Sequence, residues 1–178
     1  MIDLQKINFR KLPLSDLDLM LKWLNIDFVQ KWYGKKEYSY EEILKKYGSR
    51  VEGREPVTPF LIYYADTPIG YIQTYRISDY PKYNKYVEAD EFTAGVDLFI
   101  GEKDFIHKGF GTAATKKFLK EIVFSDESIK SCVLGPEPKN KAAIRSYEKV
   151  GFKYFKTITM PDEPEPEYLM RIHREEIV

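Results

Sequence analysis

The run Ile106-His107-Lys108-Gly109-Phe110-Gly111-Thr112 is the stretch best equipped to hold a ligand. Two glycines one residue apart separate an apolar, strand-like segment, residues 96–100, from a helical pattern that begins near Phe110. A glycine-rich turn opening a helix leaves backbone N–H groups unpaired, and the helix dipole adds partial positive charge there. Phosphate or pyrophosphate suits such a seat, so the run implies a phosphorylated cofactor. A nucleoside-triphosphate loop would need Lys then Ser or Thr directly after its last glycine, whereas Gly111 is followed by Thr112-Ala113. A dinucleotide fingerprint would need three glycines after the first strand of a βαβ unit. Here there are two, in mid-chain, after a hairpin.

The elements that position this turn come from a chain of 178 residues, enough for one domain (1–178) whose core needs no disulfide or metal. With 28 basic and 28 acidic residues, neither nucleic acid nor an anionic membrane is singled out as a partner. Cys132 is the only cysteine, which excludes an intrachain disulfide; in a predicted buried strand its expected role is packing. The start of the chain lacks a signal-peptide pattern, and no apolar run approaches the roughly 20 residues of a membrane span, so the expected location is the cytoplasm. Fourteen tyrosines and 11 phenylalanines suit either an aromatic core or a surface that receives a cationic ligand.

Alternation predicts a strand at residues 7–12. Ser15 then caps a predicted helix with the face Leu17, Met20, Leu21 and Leu24. Ser39 and Glu42 have capping-box spacing before a second helix faced by Tyr40, Ile43, Leu44 and Tyr47, with a polar loop expected at 48–59. Strands at 60–64 and 69–77 read as a hairpin, followed by an irregular acidic insertion at 78–93 and a strand at 94–100. The helix after the glycines extends to about Phe124, a strand occupies 129–134, and a helix from Asn140 stops at Gly151. Strands at 152–160 and 168–172 finish the chain around the acidic, proline-rich loop 161–167. This order predicts an α/β (α+β) fold, a mixed sheet with helices on its faces.

The turn x-x-Lys108-Gly109-x-Gly111-Thr112, followed by Asn140-x-x-Ala143-Ile144-x-x-Tyr147-Glu148-Lys149-x-Gly151-Phe152, resembles the GNAT superfamily of acetyl-CoA-dependent N-acetyltransferases. Ile106 and His107 depart from the usual Gln/Arg and glycine of the turn, which removes side-chain contacts to phosphate but not backbone ones. Leu21-Lys22-Trp23-Leu24-Asn25, Trp32-Tyr33-Gly34, Val57-Thr58-Pro59-Phe60, Pro68-Ile69-Gly70-Tyr71 and Gly95-Val96-Asp97 are similar to segments of the aminoglycoside 6′-N-acetyltransferases, as are 119–126 and 142–152. The resemblance covers nearly the whole chain. It implies a GNAT fold, a mostly antiparallel sheet with splayed central strands, acetyl-CoA as co-substrate without a metal, direct transfer in a ternary complex, and antibiotic resistance as the associated role.

Acetyl transfer needs a neutral amine, stabilisation of an oxyanion and a proton for the departing thiolate. The resemblance assigns the base to Asp97 and the general acid to Tyr147, whose phenol, with an ordinary pKa of about 10, is protonated at neutral pH. The oxyanion donors are expected in the backbone around Leu98 and Phe99, with Ile100, His107, Lys108, Gly109, Phe110, Gly111, Thr112 and Asn140 completing the cofactor site. Asn140 also suits a helix cap, and Lys108 equally suits a solvated surface.

A polycationic acceptor calls for carboxylates and aromatic faces. Trp32 and Tyr33 match the family's aromatic pair; Asp90, Glu91, Asp97 and Asp162 are the candidate acids. Gly135 stands where the drug-modifying relatives carry an aspartate. Two other readings stand beside the aminoglycoside: a different small amine or hydroxylamine, such as a siderophore precursor, on the same scaffold, and a non-catalytic acyl-CoA-binding module. The acceptor is a small molecule in the first two readings, with no nucleic acid or membrane partner expected.

Overall fold

The computed structural model describes residues 2–177. In chain order its elements are β1 (Ile7–Lys11), α1 (Leu17–Leu24), α2 (Asp27–Gln30), α3 (Tyr40–Ile43), α4 (Ser49–Val51), β2 (Val57–Tyr64), β3 (Thr67–Arg76) and α5 (Pro81–Val87). They continue with β4 (Thr93–Ile100), α6 (Phe110–Glu121), β5 (Ser131–Leu134), α7 (Lys141–Val150), β6 (Lys153–Ile158) and β7 (Glu167–His173). The seven strands form a mixed, mostly antiparallel sheet in the order β1-β2-β3-β4-β5-β7-β6. β4 and β5 are the parallel pair, and their register matches Thr93–Gly95 with Ser131–Val133. Tertiary contacts divide the chain into two compact units, Met1–Gln73 with Asp97–Gly111, and Thr74–Val96 with Thr112–Val178.

In the first unit, β1 pairs antiparallel with β2, Phe9 opposite Ile62. Phe60, Leu61 and Ile62 are all buried, so β2 shows a continuous apolar run because both its faces are covered. Beneath it lie Leu17, Met20, Trp23 and Leu24 of α1, with Ile43 and Tyr47. Trp23 belongs to this buried face, while Leu21 stays half-buried. Ser15 does not cap α1. A 3-10 turn, Leu14–Asp16, leads into the helix, and the Leu17 N–H donates to the Leu14 carbonyl, so backbone rather than a hydroxyl satisfies the helix entry.

The Ser39–Glu42 capping box forms as its spacing predicts. The face beyond it is split, because a π turn at Leu44–Gly48 separates α3 from α4. The wider turn rotates the register. Ile43 and Tyr47 stay fully buried while Tyr40 and Leu44 are 42% and 45% exposed. The expected loop at 48–59 therefore shrinks to the residues between α4 and β2.

Trp23 also ties α1 to the end of β4. Its indole N–H donates to Glu102 Oε1 at 2.8 Å, and Lys22 Nζ reaches the same oxygen at 2.9 Å. Gly101 lies flat against the indole, since a Cβ there would sit 2.4 Å from the ring.

In the second unit, β7 lies between β5 and β6, with Cys132 opposite Ile172 and Leu134 opposite Met170. Cys132 is a buried thiol outside any disulfide, as its strand position implies. Ile77, Val87, Val133, Ile158 and Leu169 form a small core. The segment 78–93, expected to be irregular, contains α5. Pro81 occupies its first turn, and Asn84 clasps the exit through bonds of 2.8 and 3.0 Å to the N–H and carbonyl of Ala89. Pro at a first helical turn removes no needed donor, which is why this short polar helix is tolerated.

β3 approaches β4 most closely at Gly70, where a Cβ would lie 2.3 Å from the Phe99 carbonyl oxygen. Gly70→Ala therefore forces backbone apart. The expected cost is about 1–3 kcal/mol, read as a lower urea midpoint with an unchanged slope.

Candidate active site

Successive side chains of a strand alternate between faces, so Tyr71 and Gln73 of β3 share a face, as do Asp97 and Phe99 of β4. The neighbouring strands bring these together in two pairs. The Tyr71 and Phe99 rings stack at 5.6 Å, and Gln73 Nε2 donates to Asp97 Oδ2 at 2.7 Å. The Gln73 carboxamide cannot turn over, because its oxygen already accepts from Tyr71 Oη and Arg50 Nη1, each at 2.7 Å. Two donors at the oxygen point the amide nitrogen at the aspartate.

Arg50 comes from α4. Its Nε lies 3.4 Å from Glu55 Oε2, and its guanidinium lies over the Tyr47 ring at 5.1 Å. Ser49 Oγ donates to the other Glu55 oxygen. Tyr47 packs edge-on against Tyr71, and Tyr33 edge-on against Phe99. The result is a half-buried carboxylate set among aromatic rings, with Arg50 held one amide away.

Electrostatics separate the groups. Burial pushes the Tyr33 and Tyr47 phenols well above their ordinary range, with neighbouring tyrosines and Asp97 adding to the effect. Burial raises Tyr71 as well, against the opposing pull of Arg50. Burial disfavours the Arg50 cation, but Tyr71, Tyr33 and Tyr47 outweigh that and hold it charged. Lys46 is drawn below its ordinary value by burial and by Arg50, with Asp97 opposing. The Tyr47 hydroxyl is buried without a hydrogen-bond partner among the described residues.

The glycine turn is exposed at His107, Lys108 and Gly109. His107 and Gly109 both have positive φ, 58° and 89°, before α6 begins. Such left-handed residues in a turn gather successive N–H groups toward one point. Phe110 is anchored edge-on between Tyr64 and Phe105, each ring 4.9 Å away.

The other expected residues have varied surroundings. Leu98 and Ile100 are half-buried in β4. The Lys31 ammonium lies 4.8 Å from the Trp32 ring. In the second unit, Tyr147 is half-buried, with its ring against Phe152. Thr112 and Ser146 share a hydroxyl bond of 2.7 Å. Asn140 caps α7 by accepting from the Ala143 N–H at 3.1 Å. Asp90 Oδ1 accepts from Phe92 N–H and Thr93 Oγ1, which shapes the turn into β4. Glu91 is exposed, and its carbonyl accepts from Arg76. Asp162 is exposed in the loop before β7.

Gly135 has a specific neighbour. A Cβ there would lie 2.4 Å from Glu167 Oε2, an oxygen that accepts from Tyr83 Oη at 2.8 Å. The glycine therefore makes room for a carboxylate carried by β7.

Sequence reasoning placed Asp97, Tyr33 and Phe99 at the site and missed Gln73, Arg50, Glu55, Tyr47 and Tyr71. A polar Gln73 inside the apolar run of β3 was the available signal. Arg50 carried none, since its partner Gln73 is 23 residues away.

Residues 12–160 match the acetyltransferase (GNAT) domain family. The chain is 31% identical over 160 residues to aminoglycoside N(6′)-acetyltransferase type 1 of Klebsiella pneumoniae, spanning 89% of this chain and 79% of the relative. The corresponding enzyme of Serratia marcescens matches to the same extent. The solved structure of aminoglycoside acetyltransferase AAC(6′)-Ib with coenzyme A and kanamycin is 28% identical, superimposes with a TM-score of 0.83 and is covered to 96%, as is this chain. The same enzyme with ribostamycin and coenzyme A gives 0.85, covering 96% of this chain and 95% of that one. By the domain match and by this extended similarity, the chain is an acyltransferase of the GNAT family and belongs with its aminoglycoside 6′-N-acetyltransferases.

Proposed function

We propose that residues 1–178 act as one domain that transfers the acetyl group of acetyl-CoA to the 6′-amine of an aminoglycoside. The observation that carries this reading is Asp97: a carboxylate hydrogen-bonded by Gln73, set among tyrosines, three residues before the end of the strand that leads to the glycine turn. The relatives support it, because structures of AAC(6′)-Ib contain coenzyme A with kanamycin or ribostamycin.

The residues fit the co-substrate. The backbone N–H groups of the turn from His107 to Gly111, exposed at residues 107–109, would hold the pyrophosphate, and the positive φ values of His107 and Gly109 support that role. Lys108 would add charge beside it, and Thr112 and the Asn140 amide nitrogen would donate to the cofactor arm. Acetyl-CoA supplies the activated carbonyl when bound. Leu98 and Phe99 would offer backbone N–H groups to the oxyanion. Support comes from the β4–β5 register, which lies at Thr93–Gly95, upstream of both residues.

Asp97 would take the proton of the substrate ammonium. Tyr147 holds at its Oη the proton that a thiolate requires. Trp32 and Tyr33 would receive the sugar rings, while Glu91 and Asp162 would meet outlying ammonium groups. For Asp90 the bonds to Phe92 and Thr93 favour a structural role first. The acceptor is a small polycation, and the cytoplasm is the proposed site of action.

The test is thiol release from acetyl-CoA with a panel of 6′-amino aminoglycosides; release is expected, and its absence across the panel refutes the reading. Asp97→Asn should lower kcat by about 10²–10⁴-fold while calorimetry shows acetyl-CoA binding unchanged. Tyr147→Phe should lower kcat by about 10²-fold under the same check. A binding module without turnover would show neither loss.

Gln73 is a positioning residue. Gln73→Leu leaves the donors of Arg50 and Tyr71 without their acceptor, an expected loss of about 1–3 kcal/mol in unfolding free energy. It also removes the amide that orients Asp97, so kcat should fall while acetyl-CoA binding stays unchanged, a split that a purely structural role would not produce.

A further inference from the structure

We propose that Arg50 determines acceptor specificity: as a resident cation it excludes a second ammonium beside the amine being acetylated and selects acceptors with a hydroxyl or anionic group there. The inference rests on the acetyl-transfer reading above and names the substrate class within it.

A polycation is recognised by carboxylates, by amide oxygens and by the faces of aromatic rings. Next to Asp97 the first unit offers one of each: Glu55, Gln73 Oε1 and the Tyr47 ring. Arg50 engages all three, at 3.4 Å, 2.7 Å and 5.1 Å. Its side chain is only 14% exposed, so it is built into the site rather than lying over it. The Lys46 ammonium, 5.6 Å from the same Tyr47 ring and within the field of both Arg50 and Asp97, adds a second positive group. Glu55 is thus paired with Arg50, and Lys46 lies within the field of Asp97, before any substrate arrives. One ammonium can still be met by Asp97, which must take its proton. A second one nearby would find the acceptors occupied and a guanidinium facing it. A hydroxyl or carboxylate would instead gain a donor from Arg50.

The matched pair for the test is kanamycin A and kanamycin B, which differ only in a hydroxyl or an ammonium at the 2′ carbon of the ring that bears the 6′-amine. The wild-type chain should favour the hydroxyl form by about tenfold or more in kcat/KM, with the difference in KM, because opposed like charges are costly at a shielded site. Arg50→Gln should bring the ratio toward one by lowering KM for the ammonium form, and Arg50→Lys should keep the preference. Unchanged acetyl-CoA binding shows that each variant is folded. A measurement that needs no variant is the wild-type preference in low and high salt. Because Arg50 is shielded from solvent, the preference should persist between about 0.05 and 0.5 M.

Equal wild-type efficiencies for the two drugs, a preference lost in high salt, or a ratio unmoved by Arg50→Gln overturns the assignment of Arg50 while leaving acetyl transfer intact. No thiol release with either drug overturns both.

Discussion

A carboxamide has one face that accepts and one that donates, and at Gln73 the choice is forced. Arg50 and Tyr71 both donate to its oxygen, so its nitrogen must face Asp97. That arrangement exists only while β3 and β4 stay close enough for two side chains of ordinary reach to meet. Gly70 permits the approach against the Phe99 carbonyl, and stacking of Tyr71 on Phe99 holds it one step along the strands. At the end of β4, Trp23 closes over Gly101 and bonds Glu102. Helix α1, distant in sequence, thus helps to fix where the carboxylate stands.

Four of the chain's aromatic side chains, Tyr33, Tyr47, Tyr71 and Phe99, make this setting. Tyr33, Tyr47 and Tyr71 keep their protons because burial opposes ionisation, so they present ring faces and hydroxyls rather than charge. The charge is carried by a few groups whose positions are fixed by short bonds. An environment of this kind makes small changes in charge count matter, since charges shielded by protein are weakly screened.

Much of this was legible in the sequence where the signal was local. The Ser39–Glu42 box, the Asn140 cap, the left-handed stop at Gly151 and the glycine turn each depend on residues within a few positions, and each formed as its spacing implies. Asp97 was singled out through the resemblance carried by Gly95-Val96-Asp97 rather than through spacing. What stayed hidden depends on distant partners or on backbone choices that spacing does not encode. Arg50 and Glu55 look like two charges of a polar loop until Gln73 is brought over them. The π turn at Leu44–Gly48 leaves the hydrophobic periodicity readable as a plain helix yet turns Tyr40 and Leu44 outward. α5 was hidden because its tyrosines and lysines read as a hydrophilic insertion, and Ser15 misled because a 3-10 turn already served the helix it precedes.

Gly135 and Glu167 show how a missing side chain can be a form of occupancy. The space in front of Gly135 is filled by a carboxylate reaching in from another strand and steadied by a tyrosine of α5. A carboxylate can thus come to this space from either backbone position. A side chain placed at 135 must push aside the flexible ends of Glu167 and Leu169, so a change at one position is felt at the other.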